Sequence, residues 1–190
     1  DSAGNPVVAS WDWSSDRGSD FRLARCSDPF CQDPFTSELL EIGFSEVNWK
    51  SVSLLLDSND YPVIATKQQL ADSGYIDNPR VFRCSDVACS GPVSVEPVAV
   101  NSFAGKVSLA LGSSGKPVVA FADWLALLGQ RDAAVAFCTD VTCSDATIEV
   151  VDNEASAEQL AVVVDGAGNA YVTYYDATAG DLRFGFVAAP

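Results

Sequence analysis

The sequence predicts an all-β fold of the β-propeller type, an array of four blade repeats in which the first and last blades are incomplete. Three observations support this prediction: one segment recurs four times, each copy divides into short strands, and a cysteine motif recurs three times. A repeat of about 55 residues with four strands is typical of a propeller blade. A β-sandwich and a β-solenoid are the alternatives, but sandwiches repeat their turns less regularly and solenoid coils are shorter.

The repeat is clearest at a short polar turn. Its copies begin at Asp1, Asp57, Gly112 and Asp165, which lie 56, 55 and 53 residues apart. Glycine and proline in these turns suit a tight connection between two strands. We expect a single domain over residues 1–190, with repeats at approximately 1–50, 51–105, 106–157 and 158–190.

Each repeat is predicted to contain up to four strands, which we letter A to D in chain order. Strand A is predicted at 52–56, 107–111 and 160–164, where the residues are apolar and rich in β-branched types. Strand B follows the turn as PVVAS, PVIAT, PVVAF and AYVTYY. Strand C ends at the cysteine motif, and strand D is expected at 38–44, 93–100 and 147–152.

The first repeat therefore lacks strand A and the last lacks strand D, which leaves sheet edges open for pairing. The chain is then a segment of a longer array, a subunit whose blades neighbouring subunits complete, or a self-contained disc with two short blades.

The fourth copy, VVVDGAGNAYVTYYDATAGDLRF, resembles the repeats of bacterial secreted β-propeller proteins with a C-x4-C turn. These repeats are similar to those of sialidase-type (BNR-like) propellers. The Asp-box of true BNR repeats, S-x-D-x-G-x-T-W, does not occur in the sequence. The resemblance implies a propeller fold and secretion, and it implies little about activity.

All six cysteines lie in three motifs of the form C-[ST]-D-x-x-C. Zinc and redox sites favour C-x2-C spacing. Recurrence with the repeat instead favours three local disulfides: Cys26–Cys31, Cys84–Cys89 and Cys138–Cys143. Such disulfides indicate an oxidising compartment, so we expect the protein to be secreted to the extracellular space or the periplasm.

The aspartate inside each cysteine motif has two interpretations. Asp28, Asp86 and Asp140 are expected to accept hydrogen bonds from amides of their own turns, as Asx residues commonly do. Calcium binding by these aspartates is the alternative. We predict no metal and no cofactor for the chain.

The charge of the chain limits its partners. Aspartate and glutamate total 26 against 11 lysines and arginines, a net charge of −15. Such a field repels nucleic acids and anionic lipids. Because no apolar run reaches the roughly 18 residues of a membrane helix, we also expect no membrane insertion.

Two groups of residues are candidates for binding on the irregular face of the predicted propeller. The first group could stack on sugar rings and bond hydroxyls, or simply pack between sheets: Trp11, Asp12, Trp13 and Trp49. The second forms an apolar loop that would contact another protein, or fold back on its own blade: Trp124, Leu125, Leu127 and Leu128.

The sequence gives little support for catalysis. Histidine is absent, no G-x-S-x-G motif occurs, and most arginines recur at equivalent strand positions. We therefore expect no catalytic residue and a secreted, non-enzymatic structural or adhesive protein. Its partners would be other copies of itself or another extracellular protein, with assembly into a filament. A carbohydrate-binding (lectin-like) propeller is the alternative, and a sialidase-like glycoside hydrolase fragment is a weaker one.

Overall fold

The computed structural model describes residues 1–14, 18–32, 36–44, 51–69, 77–90, 94–97, 106–125 and 130–190. Throughout these residues the regular elements are β-strands, and they form four separate sheets. No helix in the described ranges is long and apolar enough to cross a membrane. The predicted all-β propeller-type fold is confirmed, whereas the repeat boundaries stay a prediction.

Each sheet is an antiparallel meander, because its strands lie side by side in chain order. The first sheet contains β1 (Val7–Ser14), β2 (Gly18–Arg25) and β3 (Thr36–Phe44). The second contains β4 (Val52–Leu56), β5 (Pro62–Gln69), β6 (Asp77–Arg83) and β7 (Ser94–Pro97).

The third sheet contains β8 (Val107–Leu111), β9 (Pro117–Leu125), β10 (Gln130–Cys138) and β11 (Ala146–Asp152). The fourth contains β12 (Ala157–Val164), β13 (Ala170–Asp176) and β14 (Asp181–Val187). In the described part of the chain, the first and last sheets thus have three strands and the middle two have four, as the repeat predicted.

The polar turn before each second strand is organised by its first residue. The Asp57 carboxylate accepts hydrogen bonds from the amides of Asn59 and Tyr61 at 2.8 and 2.9 Å. Asp165 binds the amides of Ala167 and Asn169 in the same way, both at 2.9 Å. The side chain replaces backbone partners that the tight turn cannot supply, which explains why aspartate recurs there.

The cysteines form the three predicted local disulfides, with Cα–Cα distances of 4.9, 4.8 and 4.8 Å. The second cysteine of each pair has positive φ: 54° at Cys31, 56° at Cys89 and 60° at Cys143. That backbone conformation is unfavourable for an L-residue, and the closed loop holds it. The local pairing predicted from the repeat is confirmed.

The aspartate inside each disulfide loop binds the loop's own amides. Asp28 accepts from the amide of Phe30 at 2.7 Å, and Asp140 accepts from the amide of Thr142 at 2.8 Å. The Ser90 and Ser144 hydroxyls, as the main cause, hold the pKa values of Asp86 and Asp140 below the usual range. These aspartates therefore act as turn-forming residues.

Side chains alternate between the two faces of each strand. We call the face toward the next sheet in the chain the leading face, and the face toward the preceding sheet the trailing face. Val63 and Val81 on the leading face of the second sheet share a core with Val119 of the third, and all three are fully buried. Burial of each such side chain contributes about 1.5–3 kcal/mol. Equivalent cores join the first sheet to the second and the third to the fourth.

Serine side chains connect the innermost strands of neighbouring sheets. The Leu109 amide donates to Ser53 Oγ at 3.0 Å, and the Val162 amide donates to Ser108 Oγ at 3.1 Å. Both serines occupy the same position in the repeat. Each bond contributes about 1 kcal/mol and fixes the register of one sheet against the next.

An arginine before the first cysteine provides a second connection. Arg25 donates to the carbonyls of Asp60 and Val87, at 3.1 and 3.2 Å. Arg83 donates to the equivalent carbonyls of the third sheet, Gly115 and Val141, both at 3.4 Å. Each arginine thus binds both the polar turn and the disulfide loop of the following sheet.

The third sheet departs from this arrangement. Phe137 stands at the arginine position and is buried against the fourth sheet. The fourth sheet has Val187 where the other sheets carry the first cysteine. Without that cysteine there is no disulfide loop to offer the acceptor carbonyl, so an apolar side chain replaces the guanidinium.

Candidate functional site

The binding residues predicted from sequence lie largely outside the part of the molecule that is described. Only backbone is described for five of them: Trp11, Asp12, Trp13, Trp124 and Leu125. Three others lie outside the described residues altogether: Trp49, Leu127 and Leu128. Their contacts with sugars or with another protein stay predictions.

Aspartates occupy positions that are paired in register across the hairpins of three sheets. Register pairs Asp12 with Asp20, Asp123 with Asp132 and Asp176 with Asp181. The second sheet has Gln68 opposite Asn78 at this place. Like charges directly opposite each other destabilise a sheet. Their occurrence at one level of three sheets therefore indicates a role other than stability.

Carboxylates gather at one end of the third and fourth sheets, with Asp123 and Asp132 on the face of the third sheet that carries Phe121 and Asp152 on the face toward Tyr174 of the fourth sheet. Asp123, Asp132 and Asp152 lie at the same end of three adjacent strands, β9, β10 and β11. Asp176 ends β13 of the fourth sheet. We call Asp123, Asp132, Asp152 and Asp176 the carboxylate cluster.

Two members of the cluster are held toward the protonated form. Asp132 is 6% exposed, and burial followed by the charge of Asp152 raises its pKa. Burial and then the charge of Asp132 raise the pKa of Asp123. Asp123 Oδ1 is buried without a hydrogen-bond partner among the described residues. A proton on this pair relieves both the desolvation and the repulsion.

Asp152 is held in the opposite state. The Tyr174 hydroxyl of the fourth sheet donates to Asp152 Oδ2 at 2.7 Å. This hydrogen bond is the main cause that lowers the pKa of Asp152, and the charge of Arg183 adds to it. Burial, together with the same hydrogen bond, raises the pKa of Tyr174. The bond also ties the two sheets together at the cluster.

The buried Asp176 carboxylate has both of its oxygens bound by donors. It is 1% exposed, and burial opposes its charge, but amide donors outweigh burial and lower its pKa. The amides of Ser156 and Thr178 donate to Oδ1 at 3.1 and 3.0 Å. Arg183 Nε lies 3.0 Å from Oδ2, and its Nη1 lies 4.0 Å from Asp152. Asp176 therefore positions Arg183 beside Asp152.

A β-bulge lies next to the cluster on the innermost strand of the fourth sheet. The register between β12 and β13 shifts between Glu158 and Ala161, and Gln159 in the bulge has φ of 51°. Ala157, just before the bulge, pairs with Asp176. Bulges and positive φ at residues other than glycine are concentrated near functional sites.

The cluster thus combines carboxyl groups whose pKa is raised, Asp123 and Asp132, with a carboxylate whose pKa is lowered, Asp152. Environments that push neighbouring pKa values apart are the basis of general acid–base pairs. Among the described residues, no group of three or more aspartate, glutamate or cysteine side chains has the geometry of a metal site. The arrangement suits proton transfer between side chains and a bound molecule.

Comparison with known proteins identifies relatives of the fold. No family model matches the chain, and no curated protein matches it. Among solved structures, the Penicillium chrysogenum alpha-L-arabinanase in complex with arabinobiose is similar, with a TM-score of 0.65 and 13% identity. The match covers 98% of this chain and 60% of that enzyme.

Two further solved structures are similar to the chain in fold. A thermostable family-43 glycoside hydrolase matches with a TM-score of 0.58 and 11% identity, over 96% of this chain and 67% of that one. The endo-arabinase from Bacteroides thetaiotaomicron matches with a TM-score of 0.57 and 10% identity, over 98% of this chain and 72% of that one. Identities this low show the fold alone, and the chain spans about two thirds of these enzymes.

These findings correct two expectations. The chain was expected to be a non-enzymatic structural or adhesive protein that forms filaments, and to be no enzyme. Both expectations are contradicted, because the three similar structures named above are a glycoside hydrolase, an arabinanase and an endo-arabinase. The resemblance to propeller repeats with a C-x4-C disulfide turn holds at the level of fold, whereas membership of the sialidase-type family is not shown.

Sequence reasoning missed the carboxylate cluster, although one signal pointed to it. Asp12, Asp123 and Asp176 each lie eleven residues after the start of a polar turn, at residues 1, 112 and 165. Of these three, only Asp12 is among the binding residues predicted from the sequence. The position of Asp132 opposite Asp123 is set by the length of the hairpin between them. The contacts of Asp152 depend on packing between sheets, so neither residue can be identified from the spacing of the repeat.

Proposed function

We propose that the chain cleaves glycosidic bonds in polysaccharides, with arabinose-containing chains as the first substrate class to test. The observation that carries the proposal is the contrast between Asp132, whose pKa is raised, and Asp152, whose pKa is lowered. Glycoside hydrolysis commonly uses two carboxyl groups in these two states. The names of the similar structures, an arabinanase and an endo-arabinase, support the substrate class.

The proposed roles follow from the directions in which the two pKa values are shifted. Asp132 donates its proton to the leaving oxygen as the bond from that oxygen to the sugar carbon breaks. Asp152, as a carboxylate, stabilises the positive charge that develops on the sugar and directs a water molecule or attacks the carbon itself. The net reaction adds one water across the bond, and Asp132 regains its proton.

Asp176 and Tyr174 prepare Asp152 for this role. Asp176 already accepts backbone amides and Arg183, so its contribution is to hold the guanidinium. The Tyr174 hydroxyl keeps Asp152 ionised. Loss of either would alter the pKa of Asp152, and with it the acid limb of the pH–rate profile.

The test is to incubate the protein with arabinan and with a panel of other plant and bacterial polysaccharides. Hydrolysis is measured as the release of reducing ends. Asp132→Asn should lower the rate on the active substrate by about 100-fold or more, the usual contribution of a general acid. The matched control is Glu149→Gln, which alters an exposed carboxylate on β11 and should leave the rate unchanged. Failure to cleave or bind any member of the panel would contradict the proposal.

The tryptophan group fits the same proposal as a substrate-binding element. Asp12 occupies the repeat position of Asp123 and Asp176, which places Trp11 and Trp13 at the corresponding end of the first sheet. We infer that these residues, with Trp49, contact sugar rings of the bound chain. Trp13→Ala should then raise KM more than it lowers kcat, because binding is lost and the proton transfer is retained.

We also propose that the protein is secreted. The three disulfides require an oxidising compartment to persist, and polysaccharides large enough to need cleavage are found outside cells. The measurement is the thiol content of protein taken from the culture medium and from the cell interior. Free thiols in the native protein would count against secretion.

A further inference from the structure

The disulfides of the second and third sheets are buried at junctions between sheets. Cys84 and Cys89, 2% and 4% exposed, belong to the core that the first and second sheets share. Cys138 and Cys143, 6% and 0% exposed, belong to the core shared by the second and third sheets. We call residues 84–89 the second loop and residues 138–143 the third loop, after their sheets. A reductant reaches these sulfurs only when the junction opens.

Each of these loops also receives the arginine of the preceding sheet. Arg83 Nη1 donates to the carbonyl of Val141, inside the third loop. Arg25 Nη1 donates to the carbonyl of Val87, inside the second loop. Because the two contacts connect equivalent positions of successive sheets, the arrangement is a repeated feature of the fold.

Arg83 is held by its own sheet before it reaches the next one. The Asp57 carboxylate, which is 3% exposed, pairs with Arg83 Nη2. Nη1 then donates to two carbonyls of the third sheet, those of Gly115 and Val141, each at 3.4 Å. Since a guanidinium is planar and rigid, fixing one nitrogen sets the direction of the other. The Val141 carbonyl must therefore lie in one position for the contact to form.

The disulfide contributes to holding that carbonyl, because the other restraints on the third loop are partial. The Cys143 amide donates to the Asp140 carbonyl at 3.3 Å, longer than the usual distance of about 2.9–3.0 Å. The Asp140 carboxylate binds the amides of Thr142 and Ser144 at 2.8 and 3.3 Å, so a reduced loop keeps part of its turn. Cys143 has φ of 60°, which is unfavourable for an L-residue. Without the bond to Cys138, this residue is free to leave that conformation and to move the acceptor carbonyl.

We propose that each of these arginines and the disulfide loop it binds form a redox-sensitive lock between two sheets. The disulfide holds the loop carbonyl in place for the guanidinium, and the docked guanidinium keeps the junction closed over the disulfide. Two events that favour each other in this way are linked reciprocally. Oxidation therefore closes the junction, and the closed junction protects the disulfide from thiols. The lock does not depend on the proposed hydrolysis of polysaccharides.

The lock opens by thiol–disulfide exchange with a dithiol. One thiolate of the dithiol attacks a cysteine sulfur, which breaks the S–S bond of the protein and forms a mixed disulfide. The second thiol of the dithiol then displaces that cysteine and closes the dithiol into its own disulfide. The protein gains the two electrons and two protons that the dithiol loses, so both cysteines become thiols.

The experiment measures how fast dithiothreitol reduces each disulfide of the folded protein, with the new thiols alkylated and identified by mass spectrometry. Arg83→Met should accelerate reduction of the third loop by about tenfold or more, the effect of losing one hydrogen bond to a charged group. The second loop should keep its original rate. Arg25→Met should give the opposite pattern. The control Lys116→Met, which removes an exposed charge, should change neither rate.

The crossed pattern separates the lock from a general loss of stability. Equal acceleration of both loops in both variants would show that the arginines only stabilise the fold as a whole, and it would overturn the proposal. An unchanged rate for the loop that has lost its arginine would also overturn it.

A second measurement tests the link from the side of the disulfide. Cys138→Ser/Cys143→Ser removes the third disulfide, and urea unfolding compares the effect of Arg83→Met with and without it. The shift in the urea midpoint should be smaller without the disulfide, because the loop carbonyl is no longer held for the guanidinium. Equal shifts would mean that the arginine and the disulfide act independently, against the proposal. The reduction rates use the native cysteines, so they decide the matter even if the serine variant does not fold.

Discussion

At the scale of single residues, the Asp132 carboxylate lowers the stability of the fold, because burial and the charge of Asp152 both disfavour its ionised form. Its pKa is raised, so the folded protein holds its proton more tightly than the unfolded chain does. Above that pKa the ionised group destabilises the fold, and below the ordinary aspartate value of 3.8 the contribution disappears because both states are protonated. Catalytic groups often carry a stability cost of this kind.

We therefore predict that Asp132→Asn stabilises the protein at pH 7, because the amide carries no charge that burial disfavours. The gain should vanish at pH 3, where the aspartate is neutral as well. Urea unfolding at both pH values measures it. Asp152→Asn is the matched comparison and should destabilise at pH 7, since it weakens the bond with Tyr174. The same sign for both variants would contradict the assignment of the two states.

The sequence predicted some of these residues and not others, for a physical reason. The disulfides and the turn-forming aspartates are local: each cysteine bonds one five positions away, and Asp28 binds amides within four. The partners of Asp152 are Tyr174 and Arg183 on another sheet. Which sheets face each other depends on packing, so such contacts cannot be read from spacing.

At the scale of elements, the repeat predicted the strands well because their pattern is local. Strand β8 has the predicted bounds, Val107–Leu111, and β13 alternates between buried and exposed side chains as expected for a sheet with one covered face. The bulge in β12 was not predicted. Its extra residue is accommodated by the positive φ of Gln159, and glutamine carries no sequence signal for that conformation.

At this scale, the contacts that Arg83 makes between the second and third sheets can be tested directly by substitution. Its side chain is 19% exposed and pairs with the Asp57 carboxylate, which is 3% exposed, and it also binds two carbonyls of the third sheet. We predict that Arg83→Met destabilises the protein by about 3 kcal/mol, because a buried carboxylate loses its partner. Equilibrium unfolding in urea measures the loss.

The control for Arg83 is Lys116→Met, which removes an exposed charge and should change the free energy of unfolding by less than about 0.5 kcal/mol. The double variant Arg83→Met/Asp57→Asn should recover part of the loss, since it leaves no unpaired charge. A loss below about 1 kcal/mol for Arg83→Met would show that the link between the sheets is energetically minor.

At the scale of the whole molecule, the free energy of unfolding should depend on the pH of the solution. Hydrogen bonds lower the pKa values of Asp86, Asp140, Asp152 and Asp165. For a carboxylate with lowered pKa, the stabilisation is complete above the unfolded value of 3.8 and is lost as the pH falls toward the folded value. The protein should therefore unfold more readily below about pH 4.

Thermal unfolding followed between pH 6 and pH 2 checks this expectation. Asp140→Asn should flatten the acid decline, because its hydrogen bonds to Thr142 and Ser144 no longer depend on ionisation. Its melting temperature should be lower than that of the original protein at pH 6 and should approach it at pH 2. An equal decline in both proteins would assign the acid sensitivity to other groups.

The exchange of arginine for Phe137 has a consequence for temperature. The junctions after the first and second sheets are secured by guanidinium hydrogen bonds, whereas at the third Phe137 is buried in an apolar cluster. The hydrophobic effect weakens on cooling, while hydrogen bonds do not share that dependence. The apolar contact that replaces the guanidinium at the third junction should therefore weaken on cooling, whereas the hydrogen bond from Tyr174 to Asp152 at the same junction does not depend on that effect.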